Sequence, residues 1–200
     1  DKHSVMEKIV LSHFNQSIQA KKNSAQILAP QITSASKKIV RQLLNGHKVL
    51  SCGNGLAAAL ANIITESLLL QYKLERPGLP AISLNESGIL TSICHKSGKS
   101  HVFSKQILAL GQSGDLLIVF SAGTNPSNLV QAIQAAHDKS MEVIALTGQQ
   151  DTDVSALLNS EDIELRIDHN DIHQISELQM LSIFCLCELI DKQLFGGEGS

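Results

Sequence analysis

The sequence predicts an α/β fold: a three-layer α-β-α sandwich around a five-stranded, mostly parallel sheet, with extra helices at the N-terminus. Three observations predict it. Short apolar runs bounded by Gly, Asn, Pro or Asp recur along the chain, and longer segments with helical spacing separate them. Hydrophobic residues make up 43% of the 200 positions, enough for one full core. Strands alternating with helix-length segments form parallel βαβ units, because a parallel neighbour is reached only by a crossover.

The elements follow in order. Met6–Leu28 carries Ile9, Val10, His13, Phe14, Ser17 and Ile18 on one stripe, which predicts a first helix. Pro30 is expected to break it, since proline lacks an N–H and crowds the preceding turn. Ile32, Ser36, Ile39, Val40, Leu43 and Leu44 continue the pattern in a second helix, closed by Asn45-Gly46. The strands are Lys48–Cys52, Leu79–Asn85, Asp115–Ser121, Met141–Thr147 and Asp162–Ile167. Several are apolar at nearly every position, as strands covered on both faces should be. Helices are expected over Leu56–Tyr72, about Ser100–Leu110, and Pro126–Lys139.

The last helix, about Asp171–Phe195, places Ile175, Leu178, Met180, Leu181, Ile183, Phe184, Leu186, Leu189 and Ile190 on more than one face. So wide an apolar surface argues for burial against more than the sheet, as at a subunit interface; a central core helix is the plainer reading. One domain over residues 6–195 is expected. Asp1–Val5 precede Met6, itself a natural start, and read as extraneous; Gly196–Ser200 read as a flexible tail.

Charge and cysteine use narrow the function classes. Sixteen basic and nineteen acidic residues give a net charge of −3, which argues against direct binding of nucleic-acid phosphates. Cys52, Cys94, Cys185 and Cys187 form no CxxC pair, as expected in a reduced cytoplasm. Apolar runs fall short of the roughly 18–20 residues of a membrane span, and no signal-peptide pattern opens the chain, so neither a membrane partner nor export is expected.

In open parallel sheets, ligands bind at the carboxyl ends of the strands. Two such ends stand out. The first strand runs through Cys52-Gly53-Asn54-Gly55 into a helix, whose free N–H groups suit an anion. The third ends in Ser121-Ala122-Gly123-Thr124-Asn125-Pro126, with proline at a favoured helix start. A GNG turn alone is weak, because strand-to-helix turns are more often structural.

At these loops the chain resembles the sugar isomerase (SIS) domain family of phosphosugar isomerases and binders, phosphoheptose isomerase especially. KVLSCGNG, ERPGLPAI (Glu75–Ile82), Gly114–Leu117, ALTG (Ala145–Gly148) and the long last helix carry the likeness, which runs from about Met6 to Phe195. Leu43–Gly46, Ala109–Gly111 and Cys185–Phe195 are most similar to the branch of DnaA initiator-associating, or DiaA-type, proteins.

The departures from the isomerase pattern point away from catalysis. In the family's isomerases the first loop reads GNGGS, and its serine holds the sugar phosphate. Here Gly55 is followed by Leu56 and Ala57. The second loop, STSGNS in the isomerases, keeps Ser121 but loses three further hydroxyl positions, which Thr124 replaces only in part. Each missing charge-assisted bond costs about 1.5–3 kcal/mol. The resemblance also implies a His and a Glu one turn apart after the first loop, completed by a Gln and a His on the last helix. These serve as metal ligands, and the Glu also as proton-transfer base. The matching positions are Ile63, Ser67, Ser176 and Phe184. Glu66 lies about 100° around the helix from Ser67 and is no simple substitute. Moving a proton between sugar carbons needs a positioned base. No catalytic residue, metal or cofactor is therefore expected.

No other constellation takes over. Only His169 and His173 have metal-like spacing, with Asp168 and Asp171 beside them, but at a helix start such residues more often cap or face water. Cys185 and Cys187 sit two apart on a helix and point in different directions. What remains is binding. The resemblance implies a homotetramer that binds the replication initiator DnaA and promotes initiation complexes at the chromosomal origin, with avidity from repeated patches. Leu194-Phe195 is the candidate partner contact, with subunit packing as the alternative. A degenerate phosphosugar groove at Asn54, Gly55, Ser121, Thr124 and Asn125, or isomerisation of sedoheptulose 7-phosphate, are the other readings.

Overall fold

A computed structural model describes residues 2–124 and 126–196. Five strands, β1 (Val49–Gly53), β2 (Ala81–Ser83), β3 (Leu116–Phe120), β4 (Glu142–Gly148) and β5 (Ile163–Ile167), form one sheet in the order β2-β1-β3-β4-β5. All four pairings are parallel. The order reverses at β1, so the ends of β1 and β3 flank the switch point where ligands of open sheets settle.

Alternation along the strands divides the core in two. Val49, Leu116, Ile118, Phe120, Ile144 and Leu146 point to one face. There they meet α1 (Lys2–Leu44), α2 (Leu56–Leu69) and α7 (Ile172–Phe195). Leu50, Cys52, Leu117, Val119, Val143 and Ala145 point to the other. That face is covered by α3 (Ser87–Ser97), α4 (Ser104–Leu110), α5 (Ser127–Asp138) and α6 (Thr152–Leu157). This is the three-layer sandwich the apolar runs predict.

One expectation is corrected. Residues 2–44 form a single helix with Pro30 inside it, not two helices parted by a break. Pro30 and Gln26, whose carbonyl loses its helical donor, both lie on the exposed side, open to solvent. On the opposite side Leu28, Ile32, Ala35, Ser36 and Ile39 are buried, which keeps the segment helical across the proline.

Two short helices escaped the pattern. None of α3's residues is buried, and α6 is six residues long, so neither leaves a readable stripe. α2 ends at Leu69, short of Tyr72. Arg76 caps the stop: its guanidinium donates to the carbonyls of Ser67, Leu68 and Leu70 at the helix end, and the Leu79 N–H also donates to that of Leu68.

α7 packs on the sheet, α1 and α2 through Ile175, Leu178, Ile183, Leu186 and Ile190, leaving Leu181 and Phe184 exposed. α1 behaves differently along its length. Its buried residues begin at Ala20. At 1.5 Å per residue, the preceding turns extend on the order of 27 Å beyond the packed part. They expose Met6, Ile9, Val10, Phe14 and Ile18, with Phe14 at 66%.

Candidate functional site

At the end of β1 the turn is built on close approach. A Cβ on Gly53 would lie 2.6 Å from the Ala57 backbone, so only glycine lets α2 start so tightly against the strand. Asn85, after β2, clamps that glycine: its amide donates to the Gly53 carbonyl at 2.8 Å and its oxygen accepts the Gly53 N–H at 3.2 Å. Gly55 follows at φ +58°, and α2 has no side-chain cap and no acidic residue in its first turn.

Asn54 turns toward α5 rather than into α2. Its side-chain amide exchanges two hydrogen bonds with Asn128, at 2.9 and 2.8 Å. This neutral clasp joins two hollows at the strand ends. One, about 360 Å³, is lined by Gly53, Asn54, Gly55, Asn85, Cys94 and Lys99. The other, about 320 Å³, places Thr124 and Ser127 beside Asn54 and Lys99. The structure thus brings Asn54, Gly55 and Thr124 of the predicted groove together. Ser121 is 2% exposed and faces inward, donating to the Asp151 carboxylate at 2.6 Å. Asn125 lies outside the described residues. Asn128 and Lys99 were missed by sequence reasoning, since neither stands in a loop that the pattern marks.

The isomerase-type positions sit on the sheet's other face, along the seam between α2 and α7. Ile63 packs half-buried against the core. Ser67 is buried, hydrogen-bonded to the Cys187 thiol, which burial pushes up to about 12. Ser176 donates to the Ile172 carbonyl within its own helix at 2.7 Å. Phe184 stacks on Tyr72 with ring centroids 6.1 Å apart. The likeness to isomerases implies a metal here, and these four residues do not fit one: two have no donor atom, and both hydroxyls are otherwise engaged. Among the described residues no group of three or more His, Cys, Asp or Glu is placed to hold a metal ion.

Above that seam a cavity of about 560 Å³ lies between α1, α2 and α7, with His13, Phe14, Lys21, Leu56, His173 and Ser176 among its walls. The His169–His173 segment serves helix capping. Asp171 accepts the N–H groups of His173 and Gln174, and His169 Nδ1 accepts the N–H of Asp171. Those two backbone N–H bonds, the His173 N–H first, hold the Asp171 carboxyl below its ordinary range.

At the C-terminal end, Leu194 packs against the core edge and the Phe195 ring lies 5.9 Å from the Arg76 guanidinium. Both are half-buried. Beneath them Arg76 Nε donates to Asp191 at 2.9 Å.

The chain's likeness to known proteins runs over most of its length. Residues 13–148 match the SIS domain pattern. A relative named phosphoheptose isomerase, from Chromohalobacter salexigens, is 45% identical over 188 residues, covering 94% of this chain and 95% of its own. One named DnaA initiator-associating protein DiaA, from Shigella flexneri serotype 5b, is 39% identical over 191 residues, covering 95% and 97%. The solved structure of a phosphoheptose isomerase from Francisella tularensis superposes with a TM-score of 0.90 at 41% identity, covering 94% of this chain and 98% of that one.

Proposed function

The chain belongs to the SIS domain family, and from that premise we propose that it works as a non-catalytic adaptor, a homo-oligomer that binds the replication initiator DnaA and promotes initiation complexes at the chromosomal origin. The α2–α7 seam carries this reading. Ketose–aldose conversion needs a base within reach of a carbon-bound proton and something to stabilise the enediolate. Ile63, Ser67, Ser176 and Phe184 offer neither. The relatives named DiaA, at 39–40% identity over more than nine-tenths of the chain, supply the partner.

Self-association is supported by the first turns of α1. Met6, Ile9, Val10, Phe14 and Ile18 form an apolar stripe that is exposed on the first turns of that helix. A second copy supplies a matching surface, and a symmetric assembly then displays Leu194-Phe195 several times over. Light scattering with and without purified DnaA tests both parts at once: a multimer whose mass rises on adding DnaA is expected. A mass unchanged at micromolar DnaA would dismiss the adaptor.

A second reading, phosphosugar binding or phosphoheptose isomerisation, is favoured by the 45% identical relative and by the hollows at Asn54 and Lys99. A coupled assay with sedoheptulose 7-phosphate and added zinc separates it, and steady turnover there would replace the adaptor reading.

A further inference from the structure

The ends of β3 and β4 hold a negative charge of the protein's own. Asp151, three residues past β4, is 0% exposed. Its Oδ1 accepts the Ser121 hydroxyl at 2.6 Å. Its Oδ2 accepts the N–H of Gly123 at 2.6 Å and the N–H of Gly148 at 2.8 Å. Among the described residues, three donors from two adjacent strand ends thus converge on one carboxylate. Such a convergence recognises a carboxylate or one face of a phosphate, and bonds to a charged acceptor are about twice as strong as neutral ones.

The surroundings fix that convergence. Gln179 of α7 donates to the Ser121 carbonyl at 2.7 Å and holds the loop from behind. Gly148 has no room for a side chain: a Cβ there would fall 2.6 Å from Ile175 and 3.4 Å from the Gly123 nitrogen. The Ser155 hydroxyl donates to the Asp151 carbonyl at 3.0 Å and anchors the residue's backbone. The carboxylate is therefore held in the nest from both sides.

We infer that Asp151 is a built-in substitute for a ligand anion: it fills the donor nest at the ends of β3 and β4, holds Ser121 and Gly123 in place, and denies both to phosphate groups. A phosphate approaching Ser121 would meet a buried like charge, and repulsion between charges a few ångströms apart is strong where water is excluded. An anionic ligand entering beside Asn54 and Lys99 reaches only the outer donors. This inference goes beyond the adaptor reading, and it neither needs DnaA nor fails with it.

Chemical replacement of the side chain tests it. Asp151→Gly removes the carboxylate and leaves a hollow that acetate, with the same heavy atoms, can fill. Thermal melts of the wild type, Asp151→Gly and Asp151→Asn are recorded in acetate and in chloride at equal ionic strength. Acetate is expected to raise the Tm of Asp151→Gly by about 2–4 °C over chloride, the shift of roughly 1 kcal/mol for a chain of this size, and to leave the wild type unmoved. Folding of Asp151→Gly only when acetate is present supports the inference equally. A folded Asp151→Gly indifferent to acetate overturns it. So does one that stays unfolded in acetate while Asp151→Asn folds, since the carboxylate is then a brace alone. Titration of the wild type with inorganic phosphate should be flat at millimolar concentration; binding abolished by Ser121→Ala would show that the nest is open to ligands after all.

Discussion

Arg76 reaches from the loop after α2 to Asp191 on α7, Nε to Oδ1 at 2.9 Å, with both side chains at least nine-tenths buried. The same guanidinium binds the last carbonyls of α2 and lies under the Phe195 ring. One residue therefore ties together the end of the isomerase-type helix, the last helix and the candidate partner contact.

Removing it should be costly. Arg76→Ala leaves Asp191 as a buried charge without its cation, in a setting where breaking such a pair costs about 3–5 kcal/mol. Its Oδ2 already has no hydrogen-bond partner, so nothing nearby compensates. Denaturant melts should show that loss, and Arg76→Lys should recover only part of it because an ammonium cannot reproduce the fork. A change below 1 kcal/mol for Arg76→Ala would contradict the account.

The exposed stripe of α1 predicts a different behaviour. Phe14 touches little in its own chain, so Phe14→Asp should leave the fold of one protomer intact while charging a surface meant for another copy. Light scattering should report a smaller species, with unchanged secondary structure by circular dichroism. An assembly of unaltered mass would remove α1 from the interface.

Asp171 ties stability to pH at one helix end. Its folded-state carboxyl is held below the ordinary value by N–H groups of the first turn of α7. A depressed carboxylate contributes stability that is present above its unfolded pKa and lost as pH falls through the folded one. Asp171→Ala should thus lower Tm at neutral pH, and the gap to wild type should close on acidification below about pH 4, the ordinary carboxylate range. A gap that persists at low pH would assign the effect to packing.

The thiols should separate by reactivity. Burial pushes the Cys52 and Cys187 thiols up, leaving them protonated and inert at neutral pH, while Cys94 is exposed beside the strand-end groove. A thiol reagent should label Cys94 rapidly and reach Cys52 and Cys187 only on unfolding. Mass spectrometry of the native protein decides it; early labelling of Cys52 would show that the sheet opens.

Much of this was legible in the residues. The five strands lie within a residue or two of the apolar runs from Lys48 to Ile167, because a strand covered on both faces must be apolar at nearly every position. The residue types at Ile63, Ser67, Ser176 and Phe184 were equally plain, since side-chain chemistry is a property of the position itself. Helices α3 and α6 were not, because a helix that buries little or spans under two turns leaves no period to read.

The chain by itself thus determined the layer architecture, the positions of the five strands along the sequence and the side-chain types at Ile63, Ser67, Ser176 and Phe184, all of which depend on local pattern or on residue identity. Only the tertiary structure decided that α1 continues as one helix across Pro30, that Ser121 turns inward to Asp151, and that Asn54 is claimed by Asn128. Those outcomes depend on partners 30 and 74 residues away in the chain, or on helices packed across the sheet. A hydrogen bond or a buried face is created by such proximity, and a linear pattern has no means of recording it.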